Sequence, residues 1–226
     1  MKKTLHIVLA AVMSGVLLAA CDNATGVPEA PSSEAETTAQ TETLDQEMTE
    51  GQSDTKEKYA AIDFGDCKDY KDAIAKLATD MGYAEVKLGD QETLLVTSDT
   101  FGDEGAETRA AIYADIYCMD GEDKIQYCGS VSAGGSATPL AASDNYLYAA
   151  AHHSIKKYTV TDEGVLAIEE EATEKFDTAG NATYYLHSDL HDVDADEDGI
   201  VKDDSALAAL NNEYFDAKVV EFTVVK

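Results

Sequence analysis

An acidic stretch near the carboxyl end, DVDADEDGIVKDDS, carries the residue types best suited to binding a metal ion. Asp194, Asp196 and Asp198 alternate with other residues and are followed by Gly199. With Gly199 at position six of an EF-hand-like loop, the three aspartates take positions one, three and five, which supply oxygen ligands to Ca²⁺. Position twelve is Ser205, where such loops carry a bidentate acidic residue. The pattern therefore names three candidate calcium ligands in an incomplete loop.

The same residues also fit a turn that leads into a helix. The letters EDG have the composition of a hairpin turn, and IVK after them reads as a short strand. Asp203, Asp204 or Ser205 would then cap a helix through ALAALNNEYF, because short polar side chains bond the free N–H groups of a first helical turn. The sequence favours this turn-and-cap interpretation, and millimolar-range calcium binding is the alternative.

Four histidines form a second candidate set, namely His152, His153, His187 and His191. At four-residue spacing, His187 and His191 would share one face of a helix, which suits Zn²⁺ or Ni²⁺. Their surroundings are instead typical of a strand end and a loop, and no HExxH motif is present. Exposed loop histidines are the simpler interpretation, and a metal-dependent envelope hydrolase is the function that this set would otherwise support.

The stretch SVSAGGS offers Ser132 as a nucleophile, but the pattern is incomplete. A nucleophile elbow has glycine two residues before and after the serine, and Ser130 occupies the first of these places. A glycine turn is the better interpretation.

Five tyrosines could line a glycan or peptide groove, although the chain has no Trp and strand-face packing is their ordinary role. They are Tyr146, Tyr148, Tyr158, Tyr184 and Tyr185.

The first residues, MKKTLHIVLAAVMSGVLLAAC, carry the features of a secretory signal. Lys2 and Lys3 precede an uncharged apolar run that is short for a membrane span and ends in small residues. The letters LAAC match the lipobox of bacterial lipoproteins. The match implies cleavage of residues 1–20 and a diacylglycerol on the sulfur of Cys21. Acyl chains such as palmitate would then hold the protein at the extracytoplasmic face of the cell membrane.

Residues 21–57 follow as an acidic tether. From Asp22 to Thr55 the chain has no Lys, Arg or aromatic residue and is crowded with Glu, Thr, Ser, Ala and Gln. Such a composition buries too little apolar surface to offset chain entropy, so disorder is expected.

The whole chain has a formal net charge of -29. That charge disfavours nucleic acid and anionic membrane surfaces as partners, and it favours cations or basic proteins.

Three cysteines fall in the remaining part of the chain, namely Cys67, Cys118 and Cys128. Their odd number means that not all of them can pair within one chain. Cys118 and Cys128 lie on two strands of an expected hairpin around MDGED. A turn centred on the Gly-Glu of that stretch would place Cys118 opposite Ile125 and Cys128 on the other face, so no structural disulfide is predicted.

Residues 58–226 read as one strand-rich domain. AAIYADIYC alternates apolar and polar letters, as a strand does, and short runs such as ETLLVTS, IKKYTV and KVVEFTVV predict further strands. CKDYKDAIAKLATDMGY predicts a helix that ends before Gly82. Strand, acidic-glycine turn and strand recur with similar spacing. The predicted fold class is α+β, mainly β: an antiparallel meander of hairpins with one or two helices.

The layout of lipobox, acidic spacer and strand-rich segment, with stretches such as GYAEVKLGDQETLLVTSDTF and TAGNATYYLHSD, resembles a group of poorly characterised lipoproteins from Gram-positive gut anaerobes. Those proteins carry aspartate-glycine turns before strands, like FG-GAP or β-propeller repeats. Here LGDQETLLV lacks the run of acids that such repeats use for calcium. The resemblance implies an extracytoplasmic lipoprotein and no assigned activity.

No coherent catalytic set emerges from these motifs. The sequence therefore predicts a non-catalytic, membrane-anchored lipoprotein whose domain binds a protein, a glycan or a cation. A metal-dependent envelope hydrolase and a calcium-binding surface protein are the alternatives. Apart from the candidate Ca²⁺, no cofactor is predicted.

Overall fold

The computed structural model describes residues 61–226, which form two antiparallel sheets and two helices. These residues all belong to one compact unit. The prediction of a mainly β domain with one or two helices is confirmed, and the structure has two. The predicted signal sequence, Cys21 and the predicted tether lie outside the described residues.

Six strands form the first sheet. They are β1 (Gly82–Leu88), β2 (Gln91–Thr97), β3 (Thr108–Arg109), β4 (Tyr113–Met119), β5 (Ile125–Ser132) and β13 (Phe222–Val224). Seven strands form the second sheet. They are β6 (Ala141–Ser143), β7 (Tyr146–Ala151), β8 (Ser154–Val160), β9 (Leu166–Phe176), β10 (Ala182–His187), β11 (Ile200–Val201) and β12 (Lys218–Val219). The helices are α1 (Tyr70–Ile74) and α2 (Ser205–Asp216).

The order of the strands differs between the two sheets. In the first sheet the order is β3-β13-β1-β2-β4-β5, so the last strand of the chain lies beside the first. In the second sheet β6 to β11 are neighbours in chain order, and β12 joins the edge at β6. Every pairing is antiparallel.

Three apolar clusters hold the layers together. The largest lies between the two sheets, with Ile116 and Phe222 from the first sheet meeting Leu147 and Val160 from the second. The alternation predicted for AAIYADIYC is real, but β4 is buried on both faces because its other side chains enter a second cluster under α1. The third cluster lies between the second sheet and α2. The order of layers is therefore helix, sheet, sheet, helix.

The first helix is shorter than the sequence predicts. It ends at Ile74 after one and a half turns, although Leu77 and Met81 still pack against the same cluster as Ala73. The N–H groups of Lys76 and Leu77 bond the carbonyls of Ala73 and Ile74, which tightens the chain into turns. Packing of the apolar side chains, rather than a continuous helix, accounts for the helical spacing in the sequence.

Three hairpins and the turn just before β11 share one geometry, at residues 120–124, 161–165, 177–181 and 196–200. In each, the first residue bonds the last through its N–H, and the fourth residue has a positive φ. Three of the turns begin with aspartate, whose carboxylate accepts the N–H groups of the third and fifth residues. The recurring acidic-glycine turn of the sequence is thus one structural device used repeatedly.

One of these turns changes the predicted register of β4 and β5. Its five residues, 120–124, place Cys118 opposite Gln126 rather than opposite Ile125. The expected register was wrong by one residue because the turn has an odd number of residues, with Asp123 at a φ of 59°. A slip of one residue moves every side chain of a strand to the opposite face, so Cys128 shares a face with Cys118.

The final strand of the sequence, KVVEFTVV, is divided between the two sheets. β12 pairs with β6 in the second sheet, and β13 pairs with β1 and β3 in the first. Val220 lies between them, is buried, and donates its N–H to the carbonyl of Leu140. The chain therefore crosses from one sheet to the other at this point.

Candidate functional site

The acidic stretch forms a turn and a helix start. The carboxylate of Asp196 accepts the N–H of Asp198 at 3.0 Å and that of Ile200 at 2.7 Å. The side chains of Asp194 and Asp198 are exposed. Asp203 accepts the N–H of Ser205, where α2 begins. The predicted turn is present, but Asp204, at the N-cap position of α2, makes no side-chain capping hydrogen bond, and the contact from Asp203 is the one that meets the start of the helix.

The calcium interpretation finds no ligand set in this geometry. No group of three His, Cys, Asp or Glu side chains among residues 61–226 is placed to hold a metal ion. Asp196 also accepts backbone N–H groups in the same way as Asp120 and Asp177 do in the related turns. Backbone N–H groups lower the pKa of the Asp120 carboxyl. The side-chain bond from Asn181, together with backbone N–H groups, lowers the pKa of Asp177. Calcium binding by Asp194, Asp196 and Asp198 stays a prediction, and the shared turn geometry favours the alternative.

The four histidines lie at two separate places. His152 and His153 occupy the turn between β7 and β8, with ring centroids 4.0 Å apart, and His153 bonds Glu174 at 2.8 Å. His187 ends β10 and bonds Asp189 at 3.0 Å, whereas His191 follows in the loop. The metal-dependent hydrolase thus has no three-ligand centre in the described part of the chain.

The serine and tyrosine candidates have structural roles. Ser132 ends β5, where its hydroxyl contacts the carbonyl of Ala133, so it is not at a strand-to-helix elbow. The five tyrosines do not share one face. Tyr148 is buried under α2, and Tyr158 packs against the cluster between the sheets. Strand-face packing therefore accounts for much of the tyrosine pattern.

A groove with a mostly apolar lining lies between the glycine loop (residues 134–138) and the end of α2. Its volume is about 360 Å³. It is lined by Gly134, Gly135, Ala137, Thr138, Ala150, Ala151, His152, Asn211, Tyr214 and Phe215. Phe215 is 75% exposed, the highest value among the large apolar side chains of residues 61–226. Solvent-exposed aromatic surface beside an apolar concavity is typical of a binding site.

The wall of the groove formed by the glycine loop is held against the end of β7. The N–H of Gly134 and the hydroxyl of Thr138 both donate to the carbonyl of Ala150, at 2.8 and 3.1 Å. A Cβ at position 134 would lie 2.8 Å from the Cα of Ala151, so only glycine permits this approach. The stretch SAGGSAT is therefore a loop packed closely against the end of β7, and it is neither a phosphate loop nor a nucleophile elbow.

The helical wall is fixed by polar contacts at its base. Glu213 accepts a bond from Lys157 at 2.7 Å and one from Tyr148 at 3.0 Å, and the hydroxyl of Tyr214 donates to the carbonyl of Pro139. Burial opposes ionisation of Glu213, but the bonds from Lys157 and Tyr148 outweigh it and lower the pKa of this carboxyl. Burial, and then the bond to Glu213, raises the pKa of Tyr148. Both walls of the groove are thus preformed.

The sequence contains a signal for this groove that does not belong to any of its motifs. In ALAALNNEYF, Leu207, Leu210 and Tyr214 form the stripe that packs on the second sheet. Phe215 lies next to that stripe rather than in it, so an aromatic residue falls on the exposed part of an amphipathic helix. Its partner, the glycine loop, is distant in sequence, and nothing local indicates that the two meet.

Comparisons with known proteins give no relative. No family model, no curated protein and no solved structure matches this chain. Within residues 61–226, no helix has the length and apolar character needed to cross a membrane.

Proposed function

We propose that this protein is a non-catalytic lipoprotein, anchored through Cys21 at the extracytoplasmic face of the membrane, that binds a positively charged protein segment. The groove between residues 134–138 and Phe215 takes an apolar side chain of that segment. The single observation that carries the proposal is the exposed ring of Phe215 beside a preformed apolar groove. The antiparallel meander of hairpins serves as the rigid support for this surface.

Charge supports a basic partner. The chain has a formal net charge of -29, and among the residues that line the groove His152 alone has a basic side chain. Asp216 is exposed next to Phe215. A long-range negative potential attracts a cationic segment and raises its association rate, while an aromatic anchor in a groove supplies affinity. The proposed partner therefore combines lysine or arginine with an apolar or aromatic residue.

The binding test uses two synthetic peptides of equal positive charge, one alternating Lys with Trp and one containing only Lys. Because the protein has no Trp, the fluorescence of the peptide reports binding directly. We expect the Trp peptide to bind, and Phe215→Ala to weaken that binding by about tenfold or more, which corresponds to about 1.4 kcal/mol.

Val165→Ala is the control, because Val165 is 55% exposed in the turn between β8 and β9 and does not line the groove. It should leave binding unchanged. Equal binding of the two peptides, or equal loss in the two variants, would show charge attraction alone and refute the groove. Calorimetry with neutral glycans and with Ca²⁺ should give no heat that depends on Phe215.

The anchor is tested separately. Mass spectrometry of protein extracted from membranes should show a chain that begins at Cys21 and carries a diacylglycerol mass. Cys21→Ser should release the protein from the membrane fraction. An unmodified cysteine with residues 1–20 still attached would disprove the anchor without affecting the peptide result.

A further inference from the structure

Two buried cysteine side chains meet between the sheets. The sulfur atoms of Cys118 on β4 and Cys128 on β5 lie 2.9 Å apart, within about 1 Å of the length of a disulfide bond. Cys118 is fully buried and Cys128 nearly so. In this structure they are free thiols.

A β-bulge brings the two sulfurs together. Tyr117 pairs with Tyr127, but the preceding Ile116 pairs with Gly129, so Cys128 is the extra residue of the longer strand. Gly129 has a φ of 147°, which residues with a side chain rarely adopt. The bulge tilts Cys128 toward the position diagonal to it on β4, which is Cys118.

The second sheet covers this pair. Nε2 of Gln126 lies 3.5 Å from the sulfur of Cys118 and 3.3 Å from the carbonyl of Glu163 in the turn between β8 and β9. A Cβ on Gly164 would lie 2.9 Å from the same sulfur. Burial raises the pKa of the Cys128 thiol, so the nucleophilic thiolate is scarce in the folded protein. Oxidation must therefore precede packing of the turn, or follow its local opening.

We propose that Cys118 and Cys128 form an internal disulfide when the chain folds in the presence of a disulfide oxidant. The thiolate of one cysteine attacks the oxidant and releases its first thiol. The other cysteine then attacks the mixed disulfide, forms the internal bond and releases the second thiol. Two cysteine protons and two electrons pass to the oxidant, which leaves as two thiols.

Cys67 is excluded from this bond by its position. It is buried with Phe64 and Ala73 in the cluster on the other face of the first sheet. The odd cysteine of the folded part therefore stays a thiol, and one bond fastens β4 to β5 beneath the β8–β9 turn. The proposal does not depend on where the protein is located, because the test supplies the oxidant.

Peptide mapping tests the bond directly. The full-length chain is refolded with oxidised and reduced glutathione, blocked with an alkylating agent under denaturing conditions, and digested with trypsin. Cleavage after Arg109, Lys124 and Lys156 places Cys118 and Cys128 on separate peptides. We expect peptides 110–124 and 125–156 to be joined, and Cys67 to be alkylated. Alkylation of both Cys118 and Cys128, or a bond from either to Cys67, Cys21 or glutathione, would overturn the proposal.

Single variants supply the controls. Cys67→Ser should keep the joined peptides, whereas Cys118→Ser and Cys128→Ser should lose them. Oxidation should raise the Tm of the wild type and of Cys67→Ser by a few degrees, and should leave the Tm of the other two unchanged. If a variant does not fold, the wild-type map still decides.

Discussion

The two sheets of this protein are buried to different extents. In the first sheet, β2 and β4 each contain five consecutive buried residues, because one face meets the second sheet and the other meets α1 and the segment before it. In the second sheet, β10 has no fully buried residue and the eleven residues of β9 include two. The helix α2 contacts β6, β8 and β9, and leaves β10 partly open.

This difference indicates that the first sheet supports the fold, whereas the second sheet carries the surface available for binding. A sheet covered on both faces tolerates little change, since its interior is closely packed. A sheet covered on part of one face can carry polar networks, long acidic strands and a binding groove with only a modest loss of folding stability. The candidate groove, the four histidines and the acidic turn all belong to the second sheet or its connections. Four variants, taken in order of expected effect, test this division.

Phe222→Ala should give the largest loss of stability. The ring is fully buried between the sheets, on a strand paired on both sides. Truncating a buried Phe lowers the free energy of unfolding by about 3–5 kcal/mol. Phe176→Ala, on the second sheet, should cost less than about 1 kcal/mol. Urea unfolding of both variants measures the contrast, and equal losses would contradict the division into support and surface.

Lys157→Met should give the next effect, because it breaks the polar network under α2. The lysine side chain is 15% exposed, bonds Glu213, and lies 4.4 Å from the ring centroid of Tyr146. Its loss leaves Glu213 with a single partner, so we expect unfolding to become easier by about 2 kcal/mol. Lys124→Met removes the exposed pair with Glu122 and should cost less than about 0.5 kcal/mol.

Asp196→Ala should lower the free energy of unfolding by about 1 kcal/mol, because two backbone N–H groups lose their acceptor. Asp194→Ala should change it by a few tenths, and millimolar Ca²⁺ should change neither Tm. Thermal unfolding with CaCl₂ or with chelator distinguishes the two interpretations. Stabilisation of the wild type by Ca²⁺, abolished in Asp194→Ala, would instead establish the calcium site.

Glu170→Gln should give the smallest effect, and it should be stabilising. Burial raises the pKa of Glu170, so its ionised form is disfavoured in the folded protein. The variant removes that cost at pH 7, with a rise in Tm of no more than about 3 °C. The advantage should shrink once the pH falls below the raised folded-state pKa and should vanish below the unfolded-state pKa, where Glu170 is neutral in both states. A Tm series from pH 7 to pH 4, with Glu169→Gln as control, shows whether it does.

Much of the fold follows from local patterns in the sequence. Alternation in AAIYADIYC, the apolar run ETLLVTS and the repeated acidic-glycine turns indicate where strands begin and end, because side-chain direction and turn chemistry depend on neighbouring residues. The helix through ALAALNNEYF and the turn at Asp196 follow in the same way. The lipobox at Cys21 is likewise a property of consecutive letters.

Other features depend on contacts between distant residues. The groove exists because the loop 134–138 and Phe215 meet, although they are about eighty residues apart. The division of KVVEFTVV between two sheets depends on which strands are already paired. The thiol pair depends on one extra residue in a turn, which moves Cys128 to the face of Cys118, and on a bulge at Cys128 itself. Short-range geometry thus determined the elements of this protein, and only the tertiary structure decided their register, their partners and the surface on which they could act.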